Sequence, residues 1–270
     1  MPNDNRFAVL IDADNVSERY IKIILDEISK DGTATYKRIY GDWTRPELGS
    51  WKKVLLDHSI LPVQQYGYTS GKNATDSAMI IDAMDILYSG QVEGFCLVSS
   101  DSDFTRLAAR LRESGMIVVG MGERKTPKAF ISACNRFKYL DILATVEPAS
   151  APPPIVPEAP LPVKARSRGG RAQEQKEAPP APEAQSEQSE TGLATIKEAL
   201  RAIVAENSDE DDRLFIGTIG NLLVKRYPDF DVRNYGYSKL TPFIRSLGMF
   251  EIQSERGGEG SSKLIYVKLK

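Results

Sequence analysis

GFCLVSSDSDFTRLAARLRESGMIVVGMG, residues 94–122, contains two short apolar runs separated by one amphipathic turn of chain. The first run, GFCLVSS, stops at a cluster of serines and aspartates. Phe104, Leu107, Ala108 and Leu111 then recur at helical spacing, and MIVVGMG (116–122) is again continuously apolar. A strand, a helix and a second strand, with both strands apolar throughout, is the pattern of a parallel sheet buried on both faces. Toward the N-terminus the pattern repeats. FAVLID (Phe7–Asp12) is followed by Val16, Tyr20, Ile23, Ile24 and Ile28 at helical spacing. TYKRIYG (35–41), a helix around Leu48 to Leu56, ILPVQQY (60–66) and a helix carrying Met79, Ile80, Ala83 and Leu87 complete the series. The expected fold is an α/β domain, a parallel sheet covered by helices on both faces, with its site outside the carboxyl ends of the strands.

Residues 148–191 differ in composition. They are rich in Pro, Ala, Glu and Gln, lack aromatic residues, and read as a disordered linker between a domain at 1–147 and another at 192–270. A basic island inside the linker, Lys164–Arg171, reads either as a solvated patch or as an auxiliary RNA contact. Beyond it, Leu193, Ile196, Leu200, Ile203 and Val204 form one helical stripe, and Ile216, Ile219, Leu222 and Leu223 a second. Leu240, Phe243 and Leu247 form a third. Two strand-like runs, MFEIQ and KLIYVKL, flank a glycine-rich turn, so three helices and a hairpin predict a small winged-helix domain.

The bulk numbers constrain function less. A hydrophobic fraction of 41% and a charged fraction of 27% are ordinary for a globular protein. The formal net charge of −2 argues against a protein that coats nucleic acid, yet leaves room for an acidic metal site. Cys96 and Cys134 lie in apolar segments and read as buried free thiols. No apolar run approaches a membrane span and no secretory signal is visible, so the default expectation is a cytoplasmic protein with no membrane contact. The sequence leaves the oligomeric state open.

The acids carry the chemistry. Asp12 and Asp14 end the first strand, and Asp101 and Asp103 follow the apolar run CLVSS. Asp76 opens a helix and shares the stripe of Ile80, Ala83 and Leu87, the face that packs inward, whereas Asp85 points away and Asp82 lies off the stripe. A carboxylate on a buried face is costly unless it is paired or binds metal. Singly, each acid at a strand-to-helix junction reads as a helix N-cap. Together, strand-end acids in this order, with one more on an inward helix face, favour a divalent metal site for phosphodiester hydrolysis, and hard oxygen ligands suit Mg²⁺ or Mn²⁺. The lone histidine, His58, falls away from every strand terminus, so no histidine base is expected.

IDADN, the helix after the GKNAT loop, and LVSSDSDFTRLAARLRESGMIVVGMG resemble the NYN domain of the PIN-like nuclease superfamily, including LabA-like bacterial proteins. The resemblance covers roughly residues 5–145. It implies that Asp12, Asp76, Asp101 and Asp103 hold Mg²⁺ or Mn²⁺ and are the catalytic residues of RNA cleavage, with Asn15 matching the polar residue after the first acidic pair. Ser99 and Ser100 are candidates for water or phosphate contacts. Lys72, just before a helix N-terminus, reads either as a phosphate contact or as a solvated loop lysine, and Arg106 as a residue lining the RNA approach. The segment RLFIGTIGNLLVKRYPDFDVRNYGYSKLTPFIRSLGMFEIQ, with Phe230, Tyr235, Gly236, Tyr237 and Phe243, resembles the OST-HTH or LOTUS domain, whose members bind RNA or protein partners. Arg233, Lys239, Arg245, Arg256 and Lys263 are its candidate RNA contacts, while Tyr235 and Tyr237 read as core, with base stacking as the alternative that spacing alone does not indicate. The expected function is a metal-dependent endoribonuclease with a tethered winged helix. The alternative is a non-catalytic RNA-binding scaffold, and a DNA-acting nuclease is a more remote third.

Overall fold

The computed structural model describes residues 5–66, 74–146, 191–209, 211–256 and 263–270. The linker expected at 148–191 lies outside these residues except for Thr191.

In chain order the first domain comprises β1 (Arg6–Asp12), α1 (Ile21–Ile28), β2 (Thr33–Gly41), α2 (Trp51–Asp57) and β3 (Leu61–Gln64). There follow α3 (Ala74–Ser89), β4 (Gly94–Val98), α4 (Thr105–Glu113), β5 (Ile117–Gly122), α5 (Lys128–Ala133), β6 (Arg136–Tyr139) and α6 (Leu140–Val146). The strands form one sheet in the order β3-β2-β1-β4-β5-β6, and every neighbouring pair is parallel. Side chains alternate along each strand, so β1 sends Phe7, Val9 and Ile11 to the face covered by Ile21, Ile24 and Ile28 of α1. Ala8 and Leu10 go to the opposite face, with Met79, Ala83 and Ile86 of α3 and Leu107 and Leu111 of α4. Both faces are thus dry, which is why the strands read as unbroken apolar runs.

Two parts of this domain differ from the reading of the sequence. The sixth strand and its flanking helices were not anticipated, because RFKY mixes charged and apolar residues; Arg136 and Lys138 serve contacts described below. The buried stripe of α3 runs through Asp76, Met79, Ala83 and Ile86, about one position round from that expected, with Ile80 and Leu87 only partly covered. Asp85 is exposed as expected. Asp82 is not simply off the stripe, for its carboxylate meets the Arg38 guanidinium and accepts from the Tyr40 hydroxyl, which ties α3 to β2. Both cysteines are free and buried; burial pushes the Cys134 thiol up to about 12 and the Cys96 thiol higher still.

The second domain contains α7 (Leu193–Asn207), β7 (Arg213–Phe215), α8 (Ile216–Arg226), α9 (Leu240–Ser246), β8 (Phe250–Arg256) and β9 (Lys263–Leu269). The three helices and the hairpin are as expected, and β7 adds a third strand in the antiparallel order β7-β9-β8. Tyr235 and Tyr237 pack against Phe243, in the core of the domain.

This domain is seated against β6, α1 and α6 of the first. The Phe137 amide donates to the Pro228 carbonyl (2.7 Å), and the Tyr139 hydroxyl donates to buried Asp229 (3.2 Å). At the centre is Glu27 of α1, only 4% exposed, which receives both terminal nitrogens of Arg233 (2.7 and 3.0 Å) and the Lys138 ammonium (3.0 Å). These cations hold the Glu27 carboxyl far below its ordinary range despite its burial, and the same pairing raises Arg233. Breaking a partly buried ion pair of this kind costs roughly 2–3 kcal/mol, since the remaining charge is left poorly compensated. Arg233→Ala is therefore expected to divide thermal unfolding into two calorimetric transitions, one per domain, where the wild-type chain gives one. A single unshifted transition in the variant would show that the pair does not couple the domains.

Candidate metal centre

The order of the sheet creates the site. The chain leaves β1 toward β2 on one side and reaches β4 on the other, so the crevice between β1 and β4 is the topological switch point, where loops from both strands diverge. Asp12 ends β1, and Asp101 and Asp103 follow β4. Asp76, in the first turn of α3, leans across them. One carboxylate oxygen from each of Asp76, Asp101 and Asp103 lies within 4.8 Å of the other two, a spacing suited to a shared cation.

Asp12 lies behind this trio. It is fully buried, and its oxygens accept hydrogen bonds from the Ser99 hydroxyl (2.7 Å), the Asn15 side-chain amide (2.7 Å) and the Asp14 backbone N–H (3.1 Å). Burial raises its carboxyl above the ordinary value, and those three donors oppose the rise. Ser99 also accepts from the Asp101 backbone N–H (3.1 Å), so one hydroxyl locks the ends of β1 and β4 together. Asp101 caps the short 3₁₀ turn Ser102–Phe104 by accepting from the Asp103 N–H (2.9 Å). The capping and clustering readings of this acid therefore coexist, because a carboxylate has two oxygens.

The remaining candidates are placed as follows. Asn15 and Ser99 serve Asp12 directly, and the Ser100 hydroxyl accepts from the Glu123 N–H (2.9 Å). Arg106 is exposed on α4, and Lys72 lies outside the described residues. Lys239 and Arg245 are exposed around α9, Arg233 is engaged with Glu27 and Asp231, and Arg256 and Lys263 are backbone register partners at the end of β8 and the start of β9. His58 ends α2 ahead of β3, at the opposite end of the sheet from the acids.

Two contributors fall outside the candidate site residues: Asp14, read from the sequence only as a strand-end acid or cap, and Gly122. Asp14 accepts from Arg45 (2.9 Å) and from the Thr75 hydroxyl (3.1 Å), fastening the loop after β2 and the start of α3 to the end of β1. Only the strand order brings these three segments together. Gly122, at the end of β5, leaves no room for a side chain: a Cβ there would meet the Ser99 carbonyl at 2.6 Å and the Thr126 hydroxyl at 2.7 Å. The GMG at the end of an apolar run was the available signal.

Within the trio, Asp76 bears the electrostatic cost. The Asp76 carboxyl is pushed up to about 6, first by burial and then by the charges of Asp12, Asp101, Asp103 and Asp14. A carboxyl raised in the folded state favours folding while it is protonated. Without a divalent cation, that contribution is present below about pH 4 and is lost as the pH rises through about 6. Asp76→Asn is thus expected to raise the thermal midpoint in chelator at pH 7.5 by about 4 °C. It should also abolish any rise produced by Mn²⁺. A lowered midpoint, with the metal response intact, would exclude Asp76 from the cluster. Gly122→Ala should destabilise the fold by about 1–3 kcal/mol in denaturant titrations by displacing the Ser99–Ser100 segment; unchanged stability would mean that segment yields freely.

The NYN domain family model matches residues 6–141, half of the chain, and the OST-HTH/LOTUS model matches residues 192–262. No curated protein matches the chain significantly. Among solved structures, a protein of unknown function from Vibrio parahaemolyticus is 19% identical, with 51% of this chain and 93% of that one covered and a TM-score of 0.43. An uncharacterized protein from Nitrosomonas europaea is 28% identical, with 36% and 92% covered and a TM-score of 0.26. Neither similarity bears on function. With a parallel α/β sheet of PIN-like form, the carboxylate trio and these family matches, the chain belongs to the NYN domain family and carries a C-terminal OST-HTH/LOTUS domain.

Proposed function

We propose that this protein is a Mg²⁺- or Mn²⁺-dependent endoribonuclease whose winged-helix domain contributes to RNA binding. The observation that carries this reading is the convergence of Asp76, Asp101 and Asp103 at the β1/β4 switch point, with Asp12 anchored behind them. The donor set is composed of carboxylates, as a hard divalent cation requires, and the raised Asp76 carboxyl indicates crowding that such a cation would relieve. Asp76, Asp101 and Asp103 would hold it directly, with Asp12 as the fourth acid of the site. When bound, the metal would supply a water nucleophile and charge neutralisation for the phosphodiester.

The chain's own residues do the positioning. Asn15 and Ser99 keep Asp12 oriented, and Ser99 carries that constraint to Asp101 through its backbone amide. Arg106 and Lys72 are proposed phosphate contacts on the approach to the acids, and Ser100 a water or phosphate contact. On the winged helix, Lys239, Arg245, Arg256 and Lys263 are the proposed RNA contacts; Arg233 is proposed with them only in a state where it leaves Glu27. The OST-HTH match supports RNA as the ligand, and a protein partner for the same domain remains the competing assignment. No helix among the described residues is long and apolar enough to cross a membrane.

Full-length protein with Mn²⁺ or Mg²⁺ is expected to cleave single-stranded RNA, and chelator should stop it. Asp103→Asn and Asp12→Asn should each lower the rate at least a hundredfold without loss of folding. RNA that remains intact with either metal, yet is bound equally by wild type and a variant lacking all four acids, would replace the nuclease with a binding scaffold. Matched DNA cut as fast as RNA would overturn the assignment of RNA as substrate.

A further inference from the structure

The seam between the two domains encloses a cleft of about 590 Å³. It opens at the amino-terminal ends of β1, β5 and β6, facing the last turn of α8, and its lining includes Asn5, Ile117, Arg136 and Lys225. A seven-residue strand spans roughly 20 Å, so the cleft lies at the far end of the sheet from the aspartates. Its charge is lopsided. Arg112 and Arg136 contribute from one wall, Lys225 and Arg226 from the other, and Asp31 is the one carboxylate among the described lining residues. Asp31 is already engaged by Arg136 (2.5 Å) and Lys138 (3.1 Å). Arg112 donates to the carbonyls of Ser132 and Ala133 (3.1 and 3.3 Å), which fixes its guanidinium at the wall without neutralising it. Lys225 and Arg226 are exposed.

Cations gathered from two domains repel one another, so a close approach of these walls must be secured elsewhere. The Glu27–Arg233 pair and the Tyr139–Asp229 hydrogen bond do that, beside the cleft. The remaining charge suits a ligand with several regularly spaced anions, and the lining also offers the neutral polar side chain of Asn221. We propose that this cleft is a second RNA-binding site, shared by the two domains, which grips the phosphates of a strand remote from the aspartate cluster. The choice of RNA over another polyanion rests on the ribonuclease reading; the existence of the site does not. The cleft adds affinity only for strands long enough to occupy it, and it is complete only while the domains are docked.

The test measures binding without cleavage: fluorescence anisotropy of a labelled 20-nucleotide oligouridylate with full-length protein in chelator, across a salt series. The double variant Lys225→Glu/Arg226→Glu is expected to weaken binding at least tenfold. It should also reduce the magnitude of the salt slope by about 1.4, the loss of two phosphate contacts at about 0.7 each on a single strand. Arg112→Gln, which removes the charge while keeping a polar side chain, should weaken binding about fivefold, with the thermal midpoint measured alongside to separate loss of charge from loss of the Ser132 and Ala133 contacts. Wild-type affinity and slope in both variants would overturn the site. A loss confined to the α8 variant would overturn a site shared between domains, and polyglutamate competing as well as unlabelled RNA would overturn RNA as the ligand. Tight binding that depends on these cations, with no cleavage when metal is added, would sustain the cleft and remove the nuclease.

Discussion

Mutual repulsion among carboxylates is the constraint around which the first domain is arranged. Asp12, Asp76, Asp101 and Asp103 are drawn to one end of the sheet, and Asp12 there accepts from three internal donors. The cost falls on Asp76, whose burial and neighbours raise its carboxyl. Ionising Asp76 in the folded state is therefore disfavoured. The surrounding residues accordingly tie the segments together: Ser99 joins two strand ends, Asp14 joins a loop and a helix to a third segment, and Gly122 admits the Ser99 backbone at close range.

The parallel sheet makes such an arrangement possible. Its hydrogen bonds and two apolar faces fix where each strand stops, so the acids are carried on the rigid margin of a packed core. The cations are distributed elsewhere. Lys138, Arg233 and Lys30 converge on Glu27, and Arg112, Arg136, Lys225 and Arg226 surround the interdomain cleft. A net charge of −2 therefore conceals an acidic pole at the carboxyl ends of the strands and a basic seam at the amino ends. Whole-chain charge was a poor guide here because it sums two regions that the sheet keeps apart.

The docking of the winged helix alters how the two modules relate. Composition between them indicates a tether, yet the contacts among Glu27, Lys138, Arg233, Tyr139 and Asp229 seat the C-terminal domain on the outer strand. An edge strand otherwise presents unpaired amides, and here the Phe137 amide is met by the Pro228 carbonyl.

By itself, the sequence determined the repeating strand–helix pattern, the winged helix and the inward orientation of Asp76. Each depends on local periodicity, and hydrophobic burial imposes that periodicity residue by residue. It also marked Asp101 and Asp103, because an apolar run that ends in acids signals a strand terminus at a site. Tertiary structure alone decided which strand neighbours which, and hence that Asp12 meets Ser99 across 87 residues and that Asp14 meets Arg45 and Thr75. It also decided that Asp82 belongs to Arg38 and Tyr40, and that Arg233 faces Glu27 across 206 residues. Such pairs leave no periodic trace in the chain: a charged residue in a loop or on an edge reads the same whether it is solvated or clamped. Only the strand order and the approach of the second domain distinguish the two.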